Sequence, residues 1–148
     1  MWFGCEKPEP ASTLPRIWFD KYKLTKDTLI GGNLNHHFLL SFHLVDGDAD
    51  IGYKEEITEN DSKYISLNIF PYVKKNGIYE IDTVSYPYHL PYLSEKAPRG
   101  YLKAIVQIDM EFLKLTIPQW DTVRFIYFVK DRAQNRSNID TTPEVKFK

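Results

Sequence analysis

A chain of 148 residues with a net charge of −1 suits one domain with a substantial core. No Lys/Arg stripe interleaved with aromatics stands out, which argues against nucleic acid as a partner. The single cysteine, Cys5, excludes an intrachain disulfide and a four-cysteine zinc site, and no apolar run is long enough to predict a transmembrane helix.

In chain order, residues 1–13 read as a leader or tether and residues 14–148 as the domain. Met1-Trp2-Phe3-Gly4 is apolar and ends in a small residue before Cys5; Glu6-Lys7-Pro8-Glu9-Pro10 is polar and proline-rich. That pattern has the form of the tail of a bacterial lipoprotein signal, with Cys5 as the lipid-attachment residue. A full signal has a basic start and a longer apolar stretch, and only four residues precede Cys5 here. The plain alternative is a frayed apolar terminus.

A first strand is expected over Ile17–Leu24, bent near Asp20, and Gly31-Gly32-Asn33 reads as a turn. Phe38, Leu40, Phe42 and Leu44 then alternate with His37, Leu39, Ser41 and His43, the period-2 pattern of a strand with one buried face. It ends at Asp46-Gly47-Asp48-Ala49-Asp50, which is rich in turn formers. Tyr64–Val73 is the next expected strand, with Ile65, Leu67 and Ile69 inward. Asn76-Gly77 supplies the positive φ angles of a tight hairpin turn, and Ile78–Val84 returns antiparallel.

Pro87, Pro91 and Pro98 make residues 85–100 a connection or an edge, since proline cannot donate to a ladder. Tyr101–Leu115 fits a strand or a helical stripe; Gly100, Pro118 and the β neighbours favour a strand, with a bulge near Phe112–Leu113. Finally Val123, Phe125, Tyr127 and Val129 alternate with Arg124, Ile126, Phe128 and Lys130, and Ala133-Gln134-Asn135 turns the chain into a terminal hairpin over 123–147. Aromatics at 15% of the chain suit such a list, because rings pack well on a pleated surface. About seven strands and no convincing helix predict an all-β, antiparallel sandwich.

Val129-x-Asp131-x-Ala133-x-Asn135-x-Ser137 resembles the last hairpin of bacterial immunoglobulin-like and fibronectin-type sandwich domains. Together with Phe42–Gly52 and Asp121-Thr122-Val123-Arg124-Phe125, it resembles a group of uncharacterised bacterial envelope lipoproteins with an Ig-like fold, over roughly residues 5–147. The resemblance implies a mature chain starting at Cys5, lipid-anchored at the periplasmic side or outer membrane. It implies no activity. The chain departs from the group in its short upstream segment and in Ala49, where glycine is usual.

Three local features bear on chemistry. Asp46, Asp48 and Asp50 at i, i+2 and i+4 converge on one point if the backbone curls, as Ca²⁺ with its oxygen ligands requires. Ile51 and Ile57 occupy the places of the glycine and closing glutamate of an EF-hand, so Glu55 and Glu56 would have to close a non-standard loop; the alternative is a solvated turn whose aspartates bond their own amides. Tyr86, Tyr88 and Tyr92, interleaved with prolines, offer a flat platform for a glycan or a peptide, or else pin their own loop in place. His37 and His43 lie six residues apart on one strand and His36 and His89 lack a sequence partner, so packed or surface histidines are expected.

No hydrolase, metalloprotease, P-loop or dinucleotide fingerprint occurs. Acid pairs such as Glu55 with Asp109 carry no weight among 20 acidic residues. Asn60-Asp61-Ser62 and Asn135-Arg136-Ser137 match the glycosylation pattern, which matters only in a eukaryotic secretory setting. Asp131, Asn135 and Ser137 read as hairpin hardware. The expectation is a non-enzymatic, envelope-anchored Ig-like binding or structural accessory module with a protein or glycan partner. A carbohydrate-binding module using the tyrosines is the alternative, and a hydrolytic enzyme is the least favoured reading.

Overall fold

The computed structural model describes residues 13–32, 34–54, 62–93, 101–113 and 120–147. Cys5 and most of the tether, the Asn33 end of the first turn, Glu55, Glu56, Ile57 and the Asn60-Asp61 pair lie outside them. The described residues form nine strands: β1 (Arg16–Thr28), β2 (Leu34–Asp46), β3 (Leu67–Lys75), β4 (Ile78–Ile81), β5 (Tyr86–Tyr88), β6 (Leu102–Leu113), β7 (Thr122–Val129), β8 (Asp140–Thr141) and β9 (Val145–Lys146). The one helical element among them is a 3-10 turn at Ser62–Tyr64.

Antiparallel pairing orders one sheet β1-β2-β6 and the other β4-β3-β7-β8, with β5 also on β3 and β9 also on β7. The two sheets, of three and six strands, pack face to face as an antiparallel sandwich. The strand list runs longer than seven for two reasons. Tyr86–Tyr88, within the expected connection, pairs with Leu67–Ile69. The last return strand is split around Pro143, which has no N–H to give the ladder.

Register decides which side chains are buried. On β2, Phe38, Leu40, Phe42 and Leu44 are fully buried, as are Val123, Phe125, Tyr127 and Val129 on β7. The two sets meet between the sheets, Phe38 on Phe125 with ring centroids 4.7 Å apart and Phe42 on Tyr127 at 5.1 Å. The bend expected at Asp20 is a β-bulge, because Phe19 pairs with Phe42 but Lys21 with Ser41. The extra residue shifts side-chain parity, so Ile17 and Phe19 before it and Tyr22 and Leu24 after it all pack on the core. The bulge expected near Phe112–Leu113 is not there: β2 and β6 pair without a break from Asn35↔Leu113 to Asp46↔Leu102.

The free edge of β1 is closed by side chains rather than by a strand. Asn138 accepts from the Ile17 amide and donates to the Ile17 carbonyl, both at 2.9 Å, and Asp140 accepts from the Phe19 amide at 2.6 Å. Asp140 also receives the hydroxyl of buried Tyr127 at 3.2 Å. Asn138→Ala leaves both polar groups of Ile17 without these partners. It should destabilise the domain by about 1–2 kcal/mol, read as a lower urea midpoint with an unchanged slope.

Candidate metal centre at the loop end

The acidic turn opens directly from the end of β2. Asp46 is its last residue and is wholly buried. Ala49 takes a left-handed conformation, φ 55°, and is itself buried; glycine adopts that conformation more cheaply, and burial of the methyl favours alanine here. The curl lets the Asp50 amide donate to Asp46 Oδ2 at 3.1 Å. Gly52, at φ +78°, then lies so close to Leu90-Pro91 that a Cβ would collide with the Pro91 carbonyl.

The second half of the site comes from the other end of the chain. In an Ig-like sandwich the β2–β3 and β7–β8 loops emerge at the same end, and here they are bonded together. Asp50 accepts from the Arg132 amide through its carbonyl (2.9 Å) and from the Ala133 amide through Oδ2 (3.3 Å). Arg132 Nη1 donates to the carbonyls of Ile51 and Gly52 at 3.3 and 2.7 Å. Asp131 is completely buried, and its carboxylate accepts from the Asn135 amide and side chain at 2.7 and 3.1 Å.

The result is a group of four carboxylates. One oxygen each from Asp46, Asp48, Asp50 and Asp131 lies within 4.8 Å of the others. Asp46, Asp48 and Asp50 are thus brought together as their spacing suggested. Asp131, read from sequence as hairpin hardware, serves the hairpin and joins the group as well. Its only sequence signal was its place at the end of the strand whose loop shares an end with the acidic turn.

Burial pushes the Asp46 carboxyl up to about 8, and the neighbouring carboxylates of Asp50 and Asp48 add to the shift. Asp50 is raised as well, first by burial. The cause is that charge is costly away from water and costlier beside like charge. A proton on Asp46 or a bound cation relieves that repulsion.

No family model, curated protein or solved structure matches this chain.

The tyrosines are spent on contacts within the chain. Tyr86 and Tyr88 are half-buried against the core, and Tyr86 meets Phe112 edge-on at 5.4 Å. The Tyr92 ring carries Lys54 Nζ at 4.7 Å and the Arg132 guanidinium at 4.8 Å. Of the histidines, His43 stacks on Trp18 at 5.0 Å. His37 sits among carboxylates that the sequence did not connect with it: Asp27 at 3.1 Å, and Asp109 and Glu111 at 3.6 Å. His36 packs against Phe147, and His89 Nδ1 lies 2.8 Å from the Tyr64 carbonyl oxygen.

Beside the aspartates, at the same end, an open cleft of about 570 Å³ is lined by residues from four segments, among them Leu14, Arg16, Asp46, Tyr101, Arg136 and Asn138. Its volume falls in the range of small-ligand sites.

Proposed function

We propose that this protein is a non-enzymatic Ig-like accessory module of the bacterial cell envelope, tethered by lipid at Cys5 and binding a protein or glycan at its loop end. The observation that carries the reading is the cleft. Four segments far apart in sequence converge on it, and the loops that form it are those through which Ig-type sandwiches commonly recognise partners. Arg16 and Arg136 line it, so an acidic group on the partner suits the site.

The start of the domain is at this same end, because Arg16 pairs with Val45 at the close of β2. The nine residues that follow Cys5, up to Leu14, reach at most about 30 Å when extended. A domain anchored at Cys5 therefore holds its cleft toward the bilayer, and the partner is one that lies near the membrane surface. The packed tyrosines give the carbohydrate-platform alternative no support.

Affinity capture from envelope extracts tests the module, using the full chain and the exposed-site variants Arg136→Ala and Tyr101→Ala. A partner retained by the native chain and lost by either variant is the expected result. Equal recovery by all three removes the cleft from the function. The address is tested by the genomic sequence upstream of Met1: an in-frame basic and apolar stretch supports the anchor, and a stop codon directly upstream removes it.

A further inference from the structure

The aspartate group carries an inference that stands apart from the module reading. Four carboxylate oxygens within 4.8 Å of one another match the inner ligand set of a calcium ion, whose opposed oxygens, at 2.3–2.6 Å from the metal, stand about 4.6–5.2 Å apart. Acidic residues often cluster without binding anything. Here a separate feature distinguishes them: Asp46 is 0% exposed and its Oδ1 has no hydrogen-bond partner. A buried, unpaired carboxylate oxygen is expensive, and the oxygens around it are acceptors too. A proton, a donating water or a cation satisfies such a set, and of these a cation answers all four carboxylates at once. The Oδ1 of Asp50 is in the same position, buried and without a partner.

We propose that Asp46, Asp48, Asp50 and Asp131 form a Ca²⁺ site that clasps the β2–β3 loop to the β7–β8 hairpin. The ligand class follows from the donors. All are hard oxygens with no nitrogen or sulfur among them, the set preferred by Ca²⁺ and Mg²⁺ over softer metals. Ca²⁺ is favoured over Mg²⁺ because several protein carboxylates bind directly, whereas Mg²⁺ usually keeps much of its water. Asp131 makes the site a property of the fold: three ligands come from one turn, and the fourth arrives only when β7 is paired and its hairpin closed. Asp131 is already held by Asn135 and Asp50 by Ala133, so the ligands are set before the ion arrives.

The test is titration calorimetry and thermal melting of the full chain, dialysed against chelator and then given CaCl2 or MgCl2. One Ca²⁺ per chain is expected, with the melting midpoint raised by roughly 5–10 °C at about 100 times the dissociation constant. Mg²⁺ should bind more weakly. Asp48→Asn changes an exposed ligand and should leave the metal-free melt in place while weakening Ca²⁺ at least about tenfold. Asp131→Asn should weaken it similarly, and Asp27→Asn, beside His37, should not. No heat and an unmoved midpoint at millimolar Ca²⁺ overturn the site. Undiminished affinity in Asp131→Asn, with the variant folded by circular dichroism, overturns the clasp.

Discussion

Phe125→Ala is expected to cost about 3–5 kcal/mol and lower the melting midpoint by roughly 10 °C or more. Phe125 lies at the centre of β7 and is fully buried. Its ring meets Phe38 of β2 at 4.7 Å, Phe112 of β6 at 6.0 Å, Trp120 at 6.3 Å and Phe147 at 6.4 Å. The ring therefore couples both sheets. Truncation removes its transfer free energy and opens a cavity between two sheets that cannot close up independently. Phe125→Leu keeps most of the volume and should cost distinctly less. Chemical denaturation of the two variants separates the outcomes; equal small losses would show that the sheets are held elsewhere.

Asp46→Asn should stabilise the metal-free protein near pH 8 while abolishing its response to calcium. In chelator, Asp46 is held at about 8 in the fold, against 3.8 as its ordinary value. The folded state then binds the proton more tightly than the unfolded chain between those two values. Stability from this group is greatest at low pH, falls as pH rises from about 4 toward 8, and is flat above. Asparagine has no charge to bury and keeps an oxygen for the Asp50 amide, so the gain over the native chain should grow across that window to on the order of 3 kcal/mol. With calcium the order reverses, because the native carboxylate then has its cation. A gain independent of pH would mean that the Asp46 carboxyl titrates alike in the metal-free fold and in the unfolded chain.

Much of the fold was legible in the chain. The β2 and β7 patterns declared their buried faces because the pleat repeats every two residues and the polar residues, His37, Ser41, His43, Arg124 and Lys130, all fall at the alternate places. Asp20 announced the β1 bulge by interrupting a run of apolar and aromatic residues. Tyr86–Tyr88 did not announce a strand, since a three-residue edge strand with a central proline differs little locally from a loop; its pairing with Leu67–Ile69 depends on a partner almost 20 positions away. The Phe112–Leu113 region failed in the other sense. Phe112 continues the inward alternation of Leu102 to Met110, and the apolar Leu113 beside it is exposed, so the adjacent pair marked no change of register.

The candidate site divides along the same line. By itself the sequence determined an antiparallel sandwich and three aspartates at alternate positions in one turn, because both are properties of short-range spacing. Only the tertiary structure decided that Asp131 is the fourth member, that Asp46 is buried with an oxygen left unpaired, and that Tyr86 and Tyr88 pack inward. Those facts depend on which loops share an end of the sandwich and which faces are covered. Local periodicity carries no record of either, because contacts between residues 85 positions apart exist only once the strands between them have paired.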